Sequence, residues 1–238
     1  KVNNQSFTLE VLRHRALDQK NKLGAIVVNP GGPGGSATFY AYNAEYIMSS
    51  KINRKYDIVG FDPRGVNESG EIRCLTNAEE DAFLSADASD GKAASVAELA
   101  AISKNFADKC AKAAGSKLRH YSTLEAAKDM EILRILLDEK KLNFLGKSYG
   151  TYLGLVYAAM YPSSVGRVVL DGVIDPQVTT NEVNKTQAIG FELALDSFLT
   201  DCIIKVNCFY QGDLQGARDE VSKIMSFLRN NPLKLNDA

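Results

Sequence analysis

Five residues, Gly146-Lys147-Ser148-Tyr149-Gly150, set a serine between two glycines at the spacing used to present a nucleophilic hydroxyl. Their setting fits that use. Leu142 to Leu145 reads as a short buried strand, and Thr151 to Met160 carries helical periodicity through Leu153, Val156, Tyr157 and Met160 until Pro162. A serine on such a strand-to-helix turn is held in a strained conformation that lifts its hydroxyl above the sheet, and the turn is tight enough to exclude side chains two residues before and after. The bland alternative is a glycine-rich connection with an incidental serine. The strand–turn–helix context favours Ser148 as a catalytic nucleophile.

A second segment, Asn29-Pro30-Gly31-Gly32-Pro33-Gly34-Gly35-Ser36, follows the continuous apolar run Ala25 to Val28, which suits a central parallel strand. It precedes a helix expected over about Ala37 to Ser50. A loop that ends a strand and opens a helix is a place for an oxyanion hole, because the negative oxygen of a tetrahedral intermediate needs backbone N–H groups that side chains do not obstruct. Gly32 is one expected donor, and the N–H of Tyr149, directly after the nucleophile, is the other. A phosphate-binding loop is the rival reading. Neither Gly-x-Gly-x-x-Gly nor Gly-x-x-x-x-Gly-Lys-Ser/Thr spacing is present.

Asn29 to Ala37, Tyr56 to Gly65 (YDIVGFDPRG), the elbow with Thr151-Tyr152-Leu153-Gly154, and Val168 to Pro176 (VVLDGVIDP) together resemble the tripeptidyl-aminopeptidase branch of the α/β-hydrolases. That branch consists of secreted actinobacterial serine exopeptidases related to prolyl aminopeptidases. The likeness runs from about Phe7 to the C-terminus, with the motifs in the family's order. It implies an α/β-hydrolase fold, acyl-enzyme chemistry on a peptide substrate with no cofactor or metal, and secretion or residence in the cell envelope. One departure is Asn67, where the family usually has glycine after Arg-Gly-Val.

A serine hydrolase also needs a histidine to take the hydroxyl proton and a carboxylate to orient that histidine. In this fold class they follow the serine in the order acid, then histidine. The chain contains two histidines, His14 and His120, and neither follows Ser148. The expectation is therefore that the chain is the N-terminal part of a larger enzyme, inactive alone, with the triad Asp and His in a missing C-terminal segment. Asp171 ends a strand where some hydrolases place the acid, although this branch does not. Asp62 and Arg64 are expected to hold the loop after their strand, and Lys147 to face out. Glu182 and Glu192 are weak candidates for binding a peptide's free α-amine, against the plainer role of a solvated helix face. The alternatives are an esterase of the same fold, or a non-catalytic fragment or scaffold that needs a partner chain.

The elements that must position these residues follow from pattern. Phe7 to Arg15 alternates as an early edge strand, and Leu23–Asn29, Asp57–Asp62, Leu142–Gly146 and Arg167–Asp171 read as buried strands with helices between them. That order argues for a mostly parallel sheet with helices on both faces. Ser95 to Ala114 reads as a helix with Val96, Leu99, Phe106 and Cys110 on one face and Gly115 as its stop; Ser122 and Glu125 form a capping box for a helix through Leu137. Ser85 to Ser95 reads as an exposed loop. After Pro176 the pattern becomes helical, over Val183–Leu199 and Leu214–Asn230. Residues 1–176 are thus read as the N-terminal part of a catalytic domain that lacks its last strands, and residues 177–238 as the beginning of a helical cap.

With 238 residues and 45% hydrophobic content the chain can bury a full core. Its net charge of −1, with both signs interspersed, implies no nucleic-acid partner, and no apolar run is long enough for a transmembrane helix. The four cysteines, Cys74, Cys110, Cys202 and Cys208, lack metal spacing with histidine and allow three pairings. The family resemblance favours Cys74–Cys110 and Cys202–Cys208, hence an oxidising compartment.

Overall fold

The computed structural model describes residues 6–70, 72–231 and 233. They divide into two compact units, with the boundary between Pro176 and Gln177. The first unit is built on a five-stranded sheet of β1 (Val11–His14), β2 (Gly24–Asn29), β3 (Tyr56–Phe61), β4 (Leu142–Lys147) and β5 (Val165–Asp171). The order across the sheet is β1-β3-β2-β4-β5, with β1 antiparallel to β3 and every other pair parallel. The Ser148 turn leaves the sheet beside the Asn29 loop because β4 is the direct neighbour of β2, with Asn29 opposite Gly146.

Strand alternation divides the core into two layers. Val27, Val59, Phe61, Leu142 and Phe144 face α6 (Thr123–Leu136) and α7 (Tyr149–Met160), where they meet Met130, Leu133, Leu153 and Tyr157. Val28 and Ile58 point the other way, against Ala41 of α1 (Ala37–Tyr42) and Ala44 of α2 (Ala44–Ile47). A third short helix, α3 (Ser50–Lys55), completes the connection to β3. The single helix expected over 37–50 is therefore broken. Asn43 caps the end of α1, donating from both its backbone and its side chain to the Phe39 carbonyl, and Ser49 caps α3.

The expected strand over 7–15 shortens to Val11–His14 because Phe7 is used elsewhere. Its ring lies 4.5 Å beneath the Arg64 guanidinium and edge-on to Tyr121. Residues 77–85 form α4, which was not expected, with a full capping box between Thr76 and Glu79. The exposed loop then covers only the residues between Ser85 and Ala93, where α5 (Ala93–Ala114) begins. Gly115 ends α5 at φ 54°. Its anticipated apolar face is not core: Val96 is 51% and Phe106 39% exposed. Cys110 instead bonds Cys74, fastening α5 to the segment before α4. Ahead of α6 the expected box is half made. Ser122 accepts from the Glu125 N–H, but the Glu125 carboxylate turns to Arg64 and Lys128.

Glu131 of α6 accepts from Arg134, from the Tyr157 hydroxyl at 2.7 Å and from Ser164. Arg134 chiefly holds this carboxyl down at about 2, below its ordinary 4.5, while burial and the same carboxylate raise the Tyr157 phenol. A depressed carboxyl adds stability that is complete above its unfolded pKa and is lost as pH falls toward the folded value. Above about pH 4.5 this group should thus contribute about 1–2 kcal/mol after solvent screening, a contribution lost as pH falls from there toward 2. Glu131→Gln should flatten the acid limb of the stability profile by that amount in urea unfolding; parallel profiles for the two proteins would refute it.

In the second unit, α8 (Thr180–Ile203) extends the helix anticipated over Val183–Leu199, and α9 (Leu214–Asn230) has the anticipated bounds. Arg218 of α9 bridges Glu192 and Asp196 of α8, and the Cys202–Cys208 disulfide closes the turn between them. Among the described residues no helix is long and apolar enough to cross a membrane.

Candidate active site

Ser148 occupies the left-handed region at φ 51°, ψ −122°, between the last residue of β4 and the first of α7, and its side chain is exposed. A non-glycine residue there carries strain that its surroundings must hold in place. Three contacts do so. The Ser148 N–H donates to the Asp171 carbonyl at 2.9 Å, and the Ser148 carbonyl accepts from both the N–H and the Oγ1 hydroxyl of Thr151, at 2.8 and 2.7 Å. Buried Thr151 in turn accepts from the Ile174 N–H at 2.9 Å. The flanking glycines are needed for space: a methyl group on Gly146 would overlap the Gly150 carbonyl, and one on Gly150 would sit 2.6 Å from the Asn29 carbonyl oxygen.

The Asn29–Ser36 loop lies directly against this turn. A Cβ on Gly31, itself at φ 98°, would come within 2.9 Å of the Ser148 Cβ and 3.1 Å of the Tyr149 nitrogen. The Gly31 N–H is taken by the buried Asn29 side chain at 3.0 Å. Neither the Gly32 nor the Tyr149 N–H donates to a protein acceptor among the described residues. The Tyr149 N–H, directly after the serine, and the Gly32 N–H, directly after Gly31, are thus left uncommitted among the described residues.

Buried Asp62 fixes the far end of the loop. Its carboxylate accepts from the N–H groups of Ala37 and Thr38 at the start of α1, from the hydroxyls of Thr38 and Ser36, and from the Asn67 side chain at 3.1 Å. Asn67 stands at φ 48°. A conformation that favours glycine is kept here by a residue whose short polar side chain tolerates it, and that side chain adds a bond to Asp62. Arg64 forks onto Asp129 at 2.7 and 2.8 Å and reaches Glu125 at 2.8 Å, so the guanidinium holds the Asp62–Val66 segment to α6. The sequence marked Asp62 and Arg64 as loop-holders, but not Asp129, Thr151 or Thr123. Thr123 meets the Tyr149 hydroxyl at 2.8 Å, where burial pushes the phenol above its usual range. Ser36, a serine just ahead of a helix, was the one local signal for the Asp62 arrangement.

The remaining candidates make other contacts. Lys147 lies across the strands from Asp171, its Nζ 3.6 Å from the carboxylate, so Asp171 faces a lysine and not a histidine. His14 sits on β1, three strands from β4 and hence about 14 Å away. His120 has its Nδ1 3.9 Å from Glu125 and its ring toward Phe7. Glu182 is the reciprocal half of the α8 capping box, accepting from the Thr179 N–H and hydroxyl at 2.8 Å, while Glu192 pairs with Arg218 at 3.1 Å. Both carboxylates are already committed to holding helices.

Residues 24–222 match the family described as alpha/beta hydrolase fold. Among relatives, the serine protease Hip1 of Mycobacterium tuberculosis is 35% identical over 79% of this chain and 36% of its own length. A tripeptidyl aminopeptidase of Streptomyces coelicolor is 36% identical over 73% of this chain and 33% of its own. Carboxylesterase B of Mycobacterium tuberculosis is 39% identical over 84% of this chain and 39% of its own. The likeness to the tripeptidyl-aminopeptidase branch read from the four motifs is borne out by these relatives, and the chain spans about a third of the length of each.

Proposed function

The chain belongs to the alpha/beta hydrolase fold family, and from that membership we propose that it carries the nucleophile and oxyanion half of a secreted or envelope serine exopeptidase acting on peptide N-termini. The observation that carries the reading is Ser148, exposed in a left-handed turn that packs against Gly31, with the N–H groups of Tyr149 and Gly32 left uncommitted. Ser148 Oγ attacks the scissile carbonyl, the two amides hold the tetrahedral oxyanion, the amine leaves, and water hydrolyses the acyl-enzyme. The proton passes through a histidine oriented by an acid. Among the described residues His14 pairs with β3 and His120 faces Glu125, so neither is placed to serve Ser148, and these residues alone are expected to be inactive on peptides. The second unit is the beginning of a cap, and the two disulfides suit an oxidising compartment.

One observation favours a second reading, an esterase: the Carboxylesterase B relative matches more of this chain than the two peptidases do. Nucleophile and oxyanion donors serve esters equally well. A peptidase that reads the free α-ammonium through a buried acidic contact should lose about ten- to a hundredfold when that amine is blocked. The full-length gene product is therefore compared on a free and an N-acetylated tripeptide anilide. Equal rates on both, or faster cleavage of a medium-chain ester, would transfer the assignment to esterase.

A further inference from the structure

Fully buried Thr151, in the first turn of α7, gives its hydroxyl proton to the Ser148 carbonyl at 2.7 Å and accepts from the Ile174 N–H at 2.9 Å. Resting on the reading of Ser148 as nucleophile and of the Tyr149 N–H as oxyanion donor, we propose that the Thr151 hydroxyl is the positioning group that aims this donor. It does so by referring the donor's peptide unit to the Asp171–Ile174 segment at the end of β5.

The Ser148 carbonyl and the Tyr149 N–H belong to one peptide unit. Such a unit is planar and trans, so its C=O and N–H point in opposite directions and turn together. Fixing the carbonyl therefore fixes the line along which the Tyr149 N–H points. Two bonds fix it, from the Thr151 Oγ1 at 2.7 Å and from the Thr151 N–H at 2.8 Å. The backbone bond follows wherever the first turn of α7 goes. The hydroxyl adds a reference outside the helix.

That reference is unambiguous. A hydroxyl has one proton to give and lone pairs to accept with. Thr151 gives its proton to a carbonyl, which can only accept, and receives one from an N–H, which can only donate. The Ser148 N–H meanwhile donates to the Asp171 carbonyl at 2.9 Å. Both backbone polar groups of the nucleophile are thus tied to one short segment, the N–H directly at Asp171 and the C=O through Thr151 at Ile174. Gly172, at φ 72°, turns the chain between those two points. A serine in the left-handed region keeps its conformation only where its surroundings over-determine it, and these attachments do so. The contact of Lys147 with the Asp171 carboxylate, at 3.6 Å and about half exposed, adds little.

The aim of an oxyanion donor matters most when charge develops on the substrate oxygen, so its loss should be read in kcat and not in KM. In the full-length gene product, Thr151→Val keeps the shape of the side chain and removes both hydroxyl bonds. Two rates are measured per folded molecule: labelling by a fluorophosphonate probe, and kcat on whichever of the tripeptide anilide and the medium-chain ester the enzyme cleaves. Both should fall by about ten- to a hundredfold, with KM changed by less than about twofold. Thr151→Ser, which restores the hydroxyl without the methyl group, should bring both rates back to within about threefold of wild type.

A Thr151→Val protein that unfolds in less urea yet labels and turns over at the wild-type rate, or whose loss lies in KM, makes Thr151 a packing residue and overturns the proposal. A Thr151→Ser variant no better than the valine one does the same. Should Thr151→Val fail to fold, Gly172→Ala decides. A methyl group there meets nothing nearer than the Ser148 nitrogen at 3.8 Å, so it acts by straining the backbone of the segment. Labelling and kcat should then fall by about fivefold, and unchanged rates overturn the proposal. Wild-type enzyme that is never labelled and cleaves neither substrate overturns the nucleophile reading instead.

Discussion

Ser148→Ala in the full-length gene product is expected to abolish labelling by a fluorophosphonate probe and to lower kcat by on the order of 10⁴–10⁶. The size follows from what the serine is asked to do. Without its oxygen no acyl-enzyme forms, and the oxyanion donors alone give only weak catalysis over water. Stability supplies a second, independent signature. Ser148 sits at φ 51°, where a side chain is strained, and its carbonyl is clamped by Thr151 whatever the side chain. Ser148→Gly should therefore be as inactive as the alanine variant yet about 1 kcal/mol more stable, because glycine adopts this conformation freely. Near-normal turnover by Ser148→Ala removes the nucleophile. A probe that never labels the wild-type protein turns the reading toward a non-catalytic scaffold.

The second large effect is expected at Asp62. This fully buried carboxylate accepts five hydrogen bonds, two of them from the backbone at the start of α1. Asp62→Ala leaves those donors facing an empty site, and the cost to unfolding free energy should be about 3–5 kcal/mol. A catalytic effect should accompany it, because α1 is the anchor of the loop carrying Gly32. Loosening one oxyanion donor should lower kcat by about 10²-fold with little change in KM, as expected of a contact made mainly in the transition state. Urea unfolding together with steady-state kinetics checks both parts. A variant that loses stability but keeps its kcat would make Asp62 a purely structural residue.

The two motifs with chemistry were legible along the chain because each is local. Strand, glycine, serine, glycine and helix lie within about twenty residues, and the left-handed turn at Ser148 follows from their order. The same holds for the apolar strands β2, β3 and β4, whose runs of hydrophobic residues have no exposed face to interrupt them. What the chain did not disclose was decided by contacts across long stretches of sequence. Asp62 reaches back to Ala37, and Thr151 forward to Ile174. Arg64 reaches Asp129, with Phe7 taken out of its expected strand to stack on the same guanidinium. The anticipated helix over 37–50 failed for a similar reason, since short helices gain most of their stability from packing, and Asn43 and Ser49 offered caps that packing could use.

The sequence by itself determined which residues could be nucleophile and oxyanion donors, because the spacing of glycines around a serine restricts the backbone before any packing occurs. Only the tertiary structure decided which amides stay uncommitted. Gly31 and Gly32 are equivalent as letters, and it is the buried Asn29 side chain, brought against the Ser148 turn by the pairing of β2 with β4, that takes the N–H of one and leaves the other's. Hydrogen-bond commitment is a property of neighbours in space, and a linear chain does not specify it until its sheet has closed.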